Sequence, residues 1–479
     1  MHNINKNKYL LLSFTAVCLV ASCVTRKYAG PALDVPPVFR SSADSAATVN
    51  ISDSGIASIP YHSFFTDPVL LELIDSGFAR NYNLQVAIKQ IAIAGLSFKQ
   101  AQWGNIPTVS FTAGQASITR SSDNSLNGLL ASQFLGKSYV LDYNSNIGVS
   151  WEADIWGKIK SRKEAALASY LQSQEATRAV QTKLVSDIAQ GYYNLLMLDA
   201  QQDITAKSLA LYDSSINMTA LLRDAGDATT LAVEQQEAAR EAAAALLPQL
   251  HQQIMVQENA LSDLTGRYPG KIERSASLTS LQLHENLPAG FPVNMISKRP
   301  DIRQAEQALI QAHAITNVSR ASLYPNLSLS AQGGLNSYQF NNWFSIPGSL
   351  FGIASGSLIQ PLLQGRQLRT KYEQSKIARL QAELQFKQAI LSALEEVSNS
   401  LVAISELKKQ EDHIAGQAGI LERATIHARL LFQSGQAGYL DVLTAQNNKL
   451  QADLSLAGLQ RQRLSSEVLL YQALGGGWQ

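Results

Sequence analysis

The sequence predicts an α+β membrane protein made of two copies of one unit, each with a very long helix and a pair of alternating strands. Three observations predict it. Landmarks recur about 209 residues apart. Two stretches, Lys158 to Leu222 and Gln367 to Phe432, contain no proline and are dominated by good helix formers. Ahead of each, short segments alternate apolar with small polar residues.

The 479 residues hold 39 Lys plus Arg against 38 Asp plus Glu, a net charge of +1, with 16% charged and 46% hydrophobic residues. That balance argues against a nucleic-acid partner, which needs a basic face. The two cysteines, Cys18 and Cys23, fall near the N-terminus, leaving the body without a disulfide framework or thiolate metal site. Lys6 and Lys8 precede an apolar stretch, Tyr9 to Val20, too short to span a bilayer; residues 1–22 read as a secretory signal. Val20-Ala21-Ser22-Cys23 resembles a bacterial lipobox, so Cys23 is the expected lipidation site; Cys18, after Val17, fits less well. Beyond Cys23 no run of 18 apolar residues occurs, which excludes a helical inner-membrane protein.

Residues 23–60, rich in Pro, Ser and Ala without a period, read as an extended lipid-anchored segment. A first repeat, 61–270, and a second, 300–479, flank a linker at 271–299. Pro107-Thr108-Val109-Ser110-Phe111-Thr112-Ala113 is echoed by Pro325-Asn326-Leu327-Ser328-Leu329-Ser330-Ala331, Gly157-Lys158 by Gly365-Arg366, and Leu264-Thr265-Gly266 by Ala473-Leu474-Gly475. Each half therefore runs medium helix, two strands, very long helix, glycine-marked tip, return helix. At 1.5 Å per residue each long helix reaches about 100 Å. Leu380, Leu384, Leu391, Leu394, Leu401 and Ile404 step by 4, 7, 3, 7 and 3, a heptad-like seam that needs lateral partners. The return helices, Thr230 to Thr265 with a kink at Pro248 and Tyr439 to Leu474, supply some.

In the strands, Tyr139, Leu141, Tyr143, Ile147, Val149 and Trp151 share one face, and Asp142, Asn144, Asn146, Gly148, Ser150 and Glu152 the other. Val109, Phe111 and Ala113 oppose Thr108, Ser110, Thr112 and Gly114; Leu327, Leu329 and Ala331 oppose Ser328 and Ser330; the segment around Leu350 to Leu358 alternates poorly. This pattern fits a transmembrane barrel with a wet lumen or a half-buried soluble sheet. Four strands cannot close a bilayer-spanning barrel and open edges are not tolerated in lipid, so the barrel reading requires several chains: two give eight strands, three give twelve.

Over nearly the whole mature chain the residues also carry a family likeness. Phe65-Thr66-Asp67-Pro68-Val69-Leu70, Asn81-Tyr82-Asn83-Leu84, Ser150-Trp151-Glu152-Ala153-Asp154-Ile155-Trp156-Gly157, Lys298-Arg299-Pro300-Asp301-Ile302-Arg303-Gln304-Ala305-Glu306, Tyr439-Leu440-Asp441-Val442-Leu443-Thr444-Ala445-Gln446 and Ala473-Leu474-Gly475-Gly476-Gly477-Trp478 follow in order. Together they resemble the TolC-like outer membrane factors, in their lipoprotein branch. The resemblance implies a homotrimer whose twelve strands form one barrel in the outer membrane lipid and whose twelve helices continue as a periplasmic tunnel. It implies efflux of small molecules, with a periplasmic adaptor and an inner-membrane pump of the resistance-nodulation-division class as partners and no cofactor. On the family match, Leu440, Asp441 and Thr444 face the closed aperture, and three Asp441 carboxylates near one axis favour cations. If adaptor tips interdigitate with the hairpins, Arg223, Asp224, Ala225, Gly226, Gln433, Ser434, Gly435 and Gln436 form the contact set. The chain departs from the family where Thr444 replaces a second acid. It departs again where Ala437, Ala232 and Phe432 replace an arginine, an aspartate and a tyrosine that link the hairpins in relatives, so closure is expected to rest more on packing.

No catalytic set emerges. The histidines show no His-x-x-x-His pair, Gly333-Gly334 and Gly475-Gly476-Gly477 lack a phosphate loop's lysine, and Asp301 with Glu306 beside Pro300 read as helix-start charges. Gly226 and Gly435 read as helix terminators with positive φ. Two other functions fit the helices: a protein-secretion channel, and a stalk lipoprotein with no passage. A stalk needs no alternating hairpin in each half.

Overall fold

The computed structural model describes residues 24–33, 35, 36, 59–122, 124–281 and 298–478; the signal segment and Cys23 lie outside the described residues. The elements are α1 (Pro68–Arg80), α2 (Tyr82–Gln102), β1 (Thr108–Thr119), α3 (Leu126–Leu135), β2 (Val140–Ala153), α4 (Lys158–Ala225), α5 (Thr230–Ala244), α6 (Leu246–Leu264), α7 (Pro300–Ala321), β3 (Asn326–Ser337), β4 (Leu350–Ile359), α8 (Gln367–Gln433) and α9 (Tyr439–Ala473). The two long helices, 68 and 67 residues, begin and end within a few residues of expectation.

The internal repeat is visible down to single hydrogen bonds. The N–H of Gly226 donates to the Arg223 carbonyl and that of Asp227 to Leu222; 209 positions on, Gly435 donates to Phe432 and Gln436 to Leu431. The return helices stop the same way: Gly266 on Asp263 and Arg267 on Ser262, then Gly475 on Gln472 and Gly476 on Tyr471. All four glycines have positive φ, between 65° and 94°, which closes the last turn by satisfying orphan carbonyls.

Three elements differ from expectation. The first medium helix is two, α1 and α2, broken at Asn81, whose side chain accepts from the Leu84 N–H and donates to the Leu264 carbonyl. The first return helix is α5 and α6, broken at Ala245 ahead of Pro248, which lacks the N–H that would bond the Ala244 carbonyl. Helix α3 was not foreseen: it lies between β1 and β2, too short and with its apolar residues too evenly spread around it to show a helical period.

The contacts group the described residues into two compact units, each drawing on both repeats: those within 24–31, 93–171 and 307–384, and those within 32–92, 172–306 and 385–478. The first unit holds one antiparallel sheet in the order β1-β2-β3-β4. In the second, motifs that carry the family likeness converge. Asp67, buried, caps α1 through the N–H groups of Val69 and Leu70 and accepts from Tyr192 (3.0 Å) and Ser275 (2.6 Å). Phe64 stacks on Tyr471 at 4.1 Å, and Arg178 lies over the Trp478 ring at 4.5 Å. The buried Arg299 guanidinium donates to the Ala473 carbonyl, to both Asp301 oxygens and to Glu396. These motif residues bind helix ends together; their role here is scaffolding.

Candidate functional site

Two regions carry the chemistry a conduit needs, one in each unit. In the first unit the ladder brings like residues onto like faces, since partners directly opposite in antiparallel strands point the same way. Val109 and Phe111 pair with Val149 and Ile147, and Val149, Trp151 and Ala153 pair with Ala331, Leu329 and Leu327. On the other face Ser328 bonds Ser357 (2.7 Å), Ser330 bonds Ser355 (2.8 Å), Asn336 donates to Asp142 (2.6 Å), and Lys158 holds Glu152 (2.8 Å). A bulge at Ala113 and Gly114 in β1 adjusts the parity. Beyond it Gln115, Ser117 and Thr119 join the polar face while Ala116 and Ile118 join the apolar one. Gly114 therefore sits in the bulge instead of continuing the polar row.

Aromatic side chains mark both ends of the apolar band. At the loop end Tyr143 packs on Phe340 and Trp343, ring centroids 5.6 and 5.5 Å away, and Trp343 stacks on Phe344. At the helix end Trp151 donates its indole N–H to the Asn105 carbonyl, Trp156 donates to Pro325 and stacks on Tyr324, and Trp103 is 69% exposed. From Tyr143 to Trp151 the strand rises about 26 Å, or about 20 Å along the normal at a barrel tilt near 40°, most of the roughly 25 Å of a lipid-facing band between girdles. Among the described residues no helix is long and apolar enough to cross a membrane.

In the second unit the two hairpin tips share their backbone and differ in chemistry. The α4–α5 tip presents Asp224, Ala225 and Gly226 exposed, with half-buried Arg223 donating to Asp224 at 2.8 and 3.0 Å. The α8–α9 tip presents Gln433, Ser434, Gly435 and Gln436, all exposed and uncharged. At the start of α9, Leu440, Asp441 and Thr444 share one exposed face, while Val442, Gln446 and Leu450 bury the opposite one. Asp441 also caps the helix: its Oδ2 accepts the Gly438 N–H at 2.9 Å.

Ala232, Ala437 and Phe432 carry no polar side-chain group, and polar ties at other positions join these helices. The Tyr439 hydroxyl donates to Gln235 (2.7 Å), tying α9 to α5. The buried Gln446 amide donates to Ser215 (2.7 Å) and to the Leu211 carbonyl, Tyr212 donates to Asn447, and Gln236 donates to Thr219 (2.9 Å). Sequence reasoning missed them because the partners lie more than two hundred residues apart, or on separate helices, and nothing local marks a pair. Farther along α9 the two acids beside Lys449, Asp453 and Glu422, outweigh its burial and raise its pKa.

Both regions fit a membrane conduit, and comparison with known proteins decides which kind. The model of the family described as outer membrane efflux protein matches residues 73–267 and 292–476. The chain belongs to the outer membrane efflux protein family. Its relatives include a probable efflux pump outer membrane protein, TtgC of Pseudomonas putida, 31% identical over 89% of this chain and 87% of that one. The cation efflux system protein CusC of Escherichia coli is 28% identical over 98% of this chain and 99% of its own. The crystal structure of the open state of the MtrE outer membrane channel of Neisseria gonorrhoeae superposes with a TM-score of 0.83 at 25% identity, covering 95% of this chain and 98% of that one. As an outer membrane efflux protein the chain is a channel of the cell outer membrane, in a transport family, and its four strands are one chain's share of a transmembrane barrel.

Proposed function

We propose that three copies of this chain close one twelve-stranded barrel and form a helical conduit that receives small molecules from a periplasmic adaptor and an inner-membrane pump of the resistance-nodulation-division class. The observation that carries this is the sheet. β1 and β4 each have one unpaired edge, and the apolar face between aromatic girdles belongs in lipid, where an open edge leaves backbone groups unsatisfied at several kcal/mol each. Copies must pair β4 with β1, and twelve strands leave room for a wet passage where eight are filled by side chains.

Cys23 is the proposed lipid anchor. What supports it is the segment that follows: Val24 is buried, Thr25 packs against Gly157 just after β2, and the Arg26 carbonyl accepts from the Asn317 amide and lies 2.8 Å from the His313 ring nitrogen. The described segment that follows the proposed anchor thus runs beside Gly157, one residue after Trp156 of the helix-end girdle. The exposed Leu440, Asp441 and Thr444 face is the proposed gate, and the two tips, from Arg223 to Gly226 and from Gln433 to Gln436, are the proposed adaptor contacts. The repeats at 61–270 and 300–479 are the proposed units of descent, whatever the compact grouping of contacts.

The test is single-channel recording of purified protein in a planar bilayer, with subunit number from mass in the same preparation and the N-terminal peptide read for acyl mass. Discrete conductance from a lipidated trimer is expected. A folded monomer that never conducts would remove the proposal.

A further inference from the structure

The polar face of the sheet is not polar throughout. Apart from Val140 at the loop end of β2, β1, β2 and β3 turn only Thr, Ser, Gln, Asn, Gly and the two acids Asp142 and Glu152 toward it. β4 does the reverse over its outer half. Its partners are Gly334 for Phe351 and Gln332 for Ile353, both on the polar face, while Gly352, Ala354 and Gly356 fall on the lipid face with Gly333, Ala331 and Leu329. The irregular alternation of this strand in the sequence is thus an inversion. Phe351 is half-buried above Gly334, which has no side chain, so its placement has a packing reason. Ile353 is 53% exposed and Ile359 61%, and no packing accounts for them. Pairing of the free β4 edge with another copy covers backbone groups and leaves both side chains on the face.

Charge on the same face has one sign. The four strands carry two acids, Asp142 and Glu152, and no base; Lys158 neutralises Glu152, which leaves Asp142 toward the loop end. A wet passage lined by hydroxyls and amides offers an inorganic ion no reason to linger, and an apolar strip within it costs an ion its hydration. An organic cation gains on both counts: its hydrocarbon body covers exposed Ile353 while its charge stays in a lumen whose fixed charge is acidic.

Resting on the barrel reading above, we propose that Phe351 and Ile353 of β4, repeated in each copy, form an apolar track in the barrel lumen that engages amphiphilic organic cations on their way out. The track acts as a specificity element, slowing such cargo relative to potassium.

The experiment uses the full-length trimer in a planar bilayer in potassium chloride, with tetraphenylphosphonium as the probe. Wild type is expected to show flickering block by the probe. Ile353→Asn should weaken that block about tenfold, the scale of losing one apolar contact in a site, with potassium conductance unchanged. A Phe351→Leu variant, which keeps an apolar side chain over Gly334, should retain the block. Equal block of wild type and Ile353→Asn would overturn the proposal and leave the channel intact. So would failure of a charged, water-soluble thiol reagent to alter current through an Ile353→Cys channel, because the side chain would then not face the lumen. A trimer that never conducts would overturn the barrel reading itself, and the track with it.

Discussion

Replacing Arg299 with methionine tests the knot that holds the helix ends of the second unit. The guanidinium is buried and makes four hydrogen bonds: Nη1 to the Ala473 carbonyl at 2.6 Å, Nε and Nη2 to Asp301 at 3.0 and 2.5 Å, and Nη2 to Glu396 at 2.7 Å. Burial opposes its charge, but the two acids outweigh that and raise its pKa above the ordinary arginine value. Methionine fills most of the volume and supplies no donor. Asp301 and Glu396 are about half exposed, at 46% and 55%, so water can solvate them once the arginine is gone. The cost therefore falls below the roughly 3–5 kcal/mol of a fully buried pair. What remains is one buried, unpaired Ala473 carbonyl at about 1–3 kcal/mol plus lost charge-assisted bonds, for a total near 2–3 kcal/mol. Amides that exchange by local opening at the start of α7 and the end of α9 should then exchange about 30 to 150 times faster. Hydrogen exchange read by mass spectrometry on the intact protein measures this peptide by peptide. Unchanged exchange in the peptides around residues 300–306 and 465–474 would refute the reasoning.

Asp441 serves as cap and proposed gate, and two variants separate these. Asp441→Asn keeps an acceptor for Gly438 and should lower cation preference alone; Asp441→Ala should also raise resting conductance and loosen the first turn of α9 by about 1 kcal/mol. Unchanged reversal potentials for both in a potassium chloride gradient would count against the gate. Among glycines of positive φ, Gly226→Ala meets open space and should cost only the backbone term of about 1–2 kcal/mol. Gly266→Ala would bring a Cβ within 2.6 Å of the Arg80 carbonyl oxygen and should cost clearly more, which chemical denaturation followed by circular dichroism would rank. Burial, and for Tyr192 the Asp67 carboxylate beside it, pushes Tyr192 and Tyr471 up to about 12. Both hold their protons more tightly folded than unfolded, so stability is whole below pH 10 and falls as pH rises from 10 to about 12, by at most about 2–3 kcal/mol per tyrosine. Tyrosinate absorbance that rises fully near pH 10 in still-folded protein would contradict this.

The long helices, the glycine stops and the duplication were legible because each is a local property. Sixty-odd residues without proline, a glycine at each tip and return-helix stop and matching strings 209 residues apart need no tertiary partner to be seen. The breaks at Asn81 and Ala245 were legible only in part, since Pro248 announces a kink but not the residue at which the helix stops. The two faces of β4 could not be assigned for a different reason. Alternation reports two faces only when each is chemically uniform, and a strand with isoleucine inside and glycine outside looks like noise until its register is known.

Sequence alone determined the order of the strands and long helices, the family and which residues stand at the tips, because helix stops and strand alternation follow from backbone chemistry within a few residues. Only the tertiary structure decided that the family motifs are a scaffold of helix ends around Arg299 and Asp67. It alone revealed that Tyr439, Gln446 and Tyr212 supply the ties between helices and that Ile353 faces the polar side. Those are pairings across many residues or across a ladder, and a bond between side chains that far apart leaves no mark on the stretch of chain around either one.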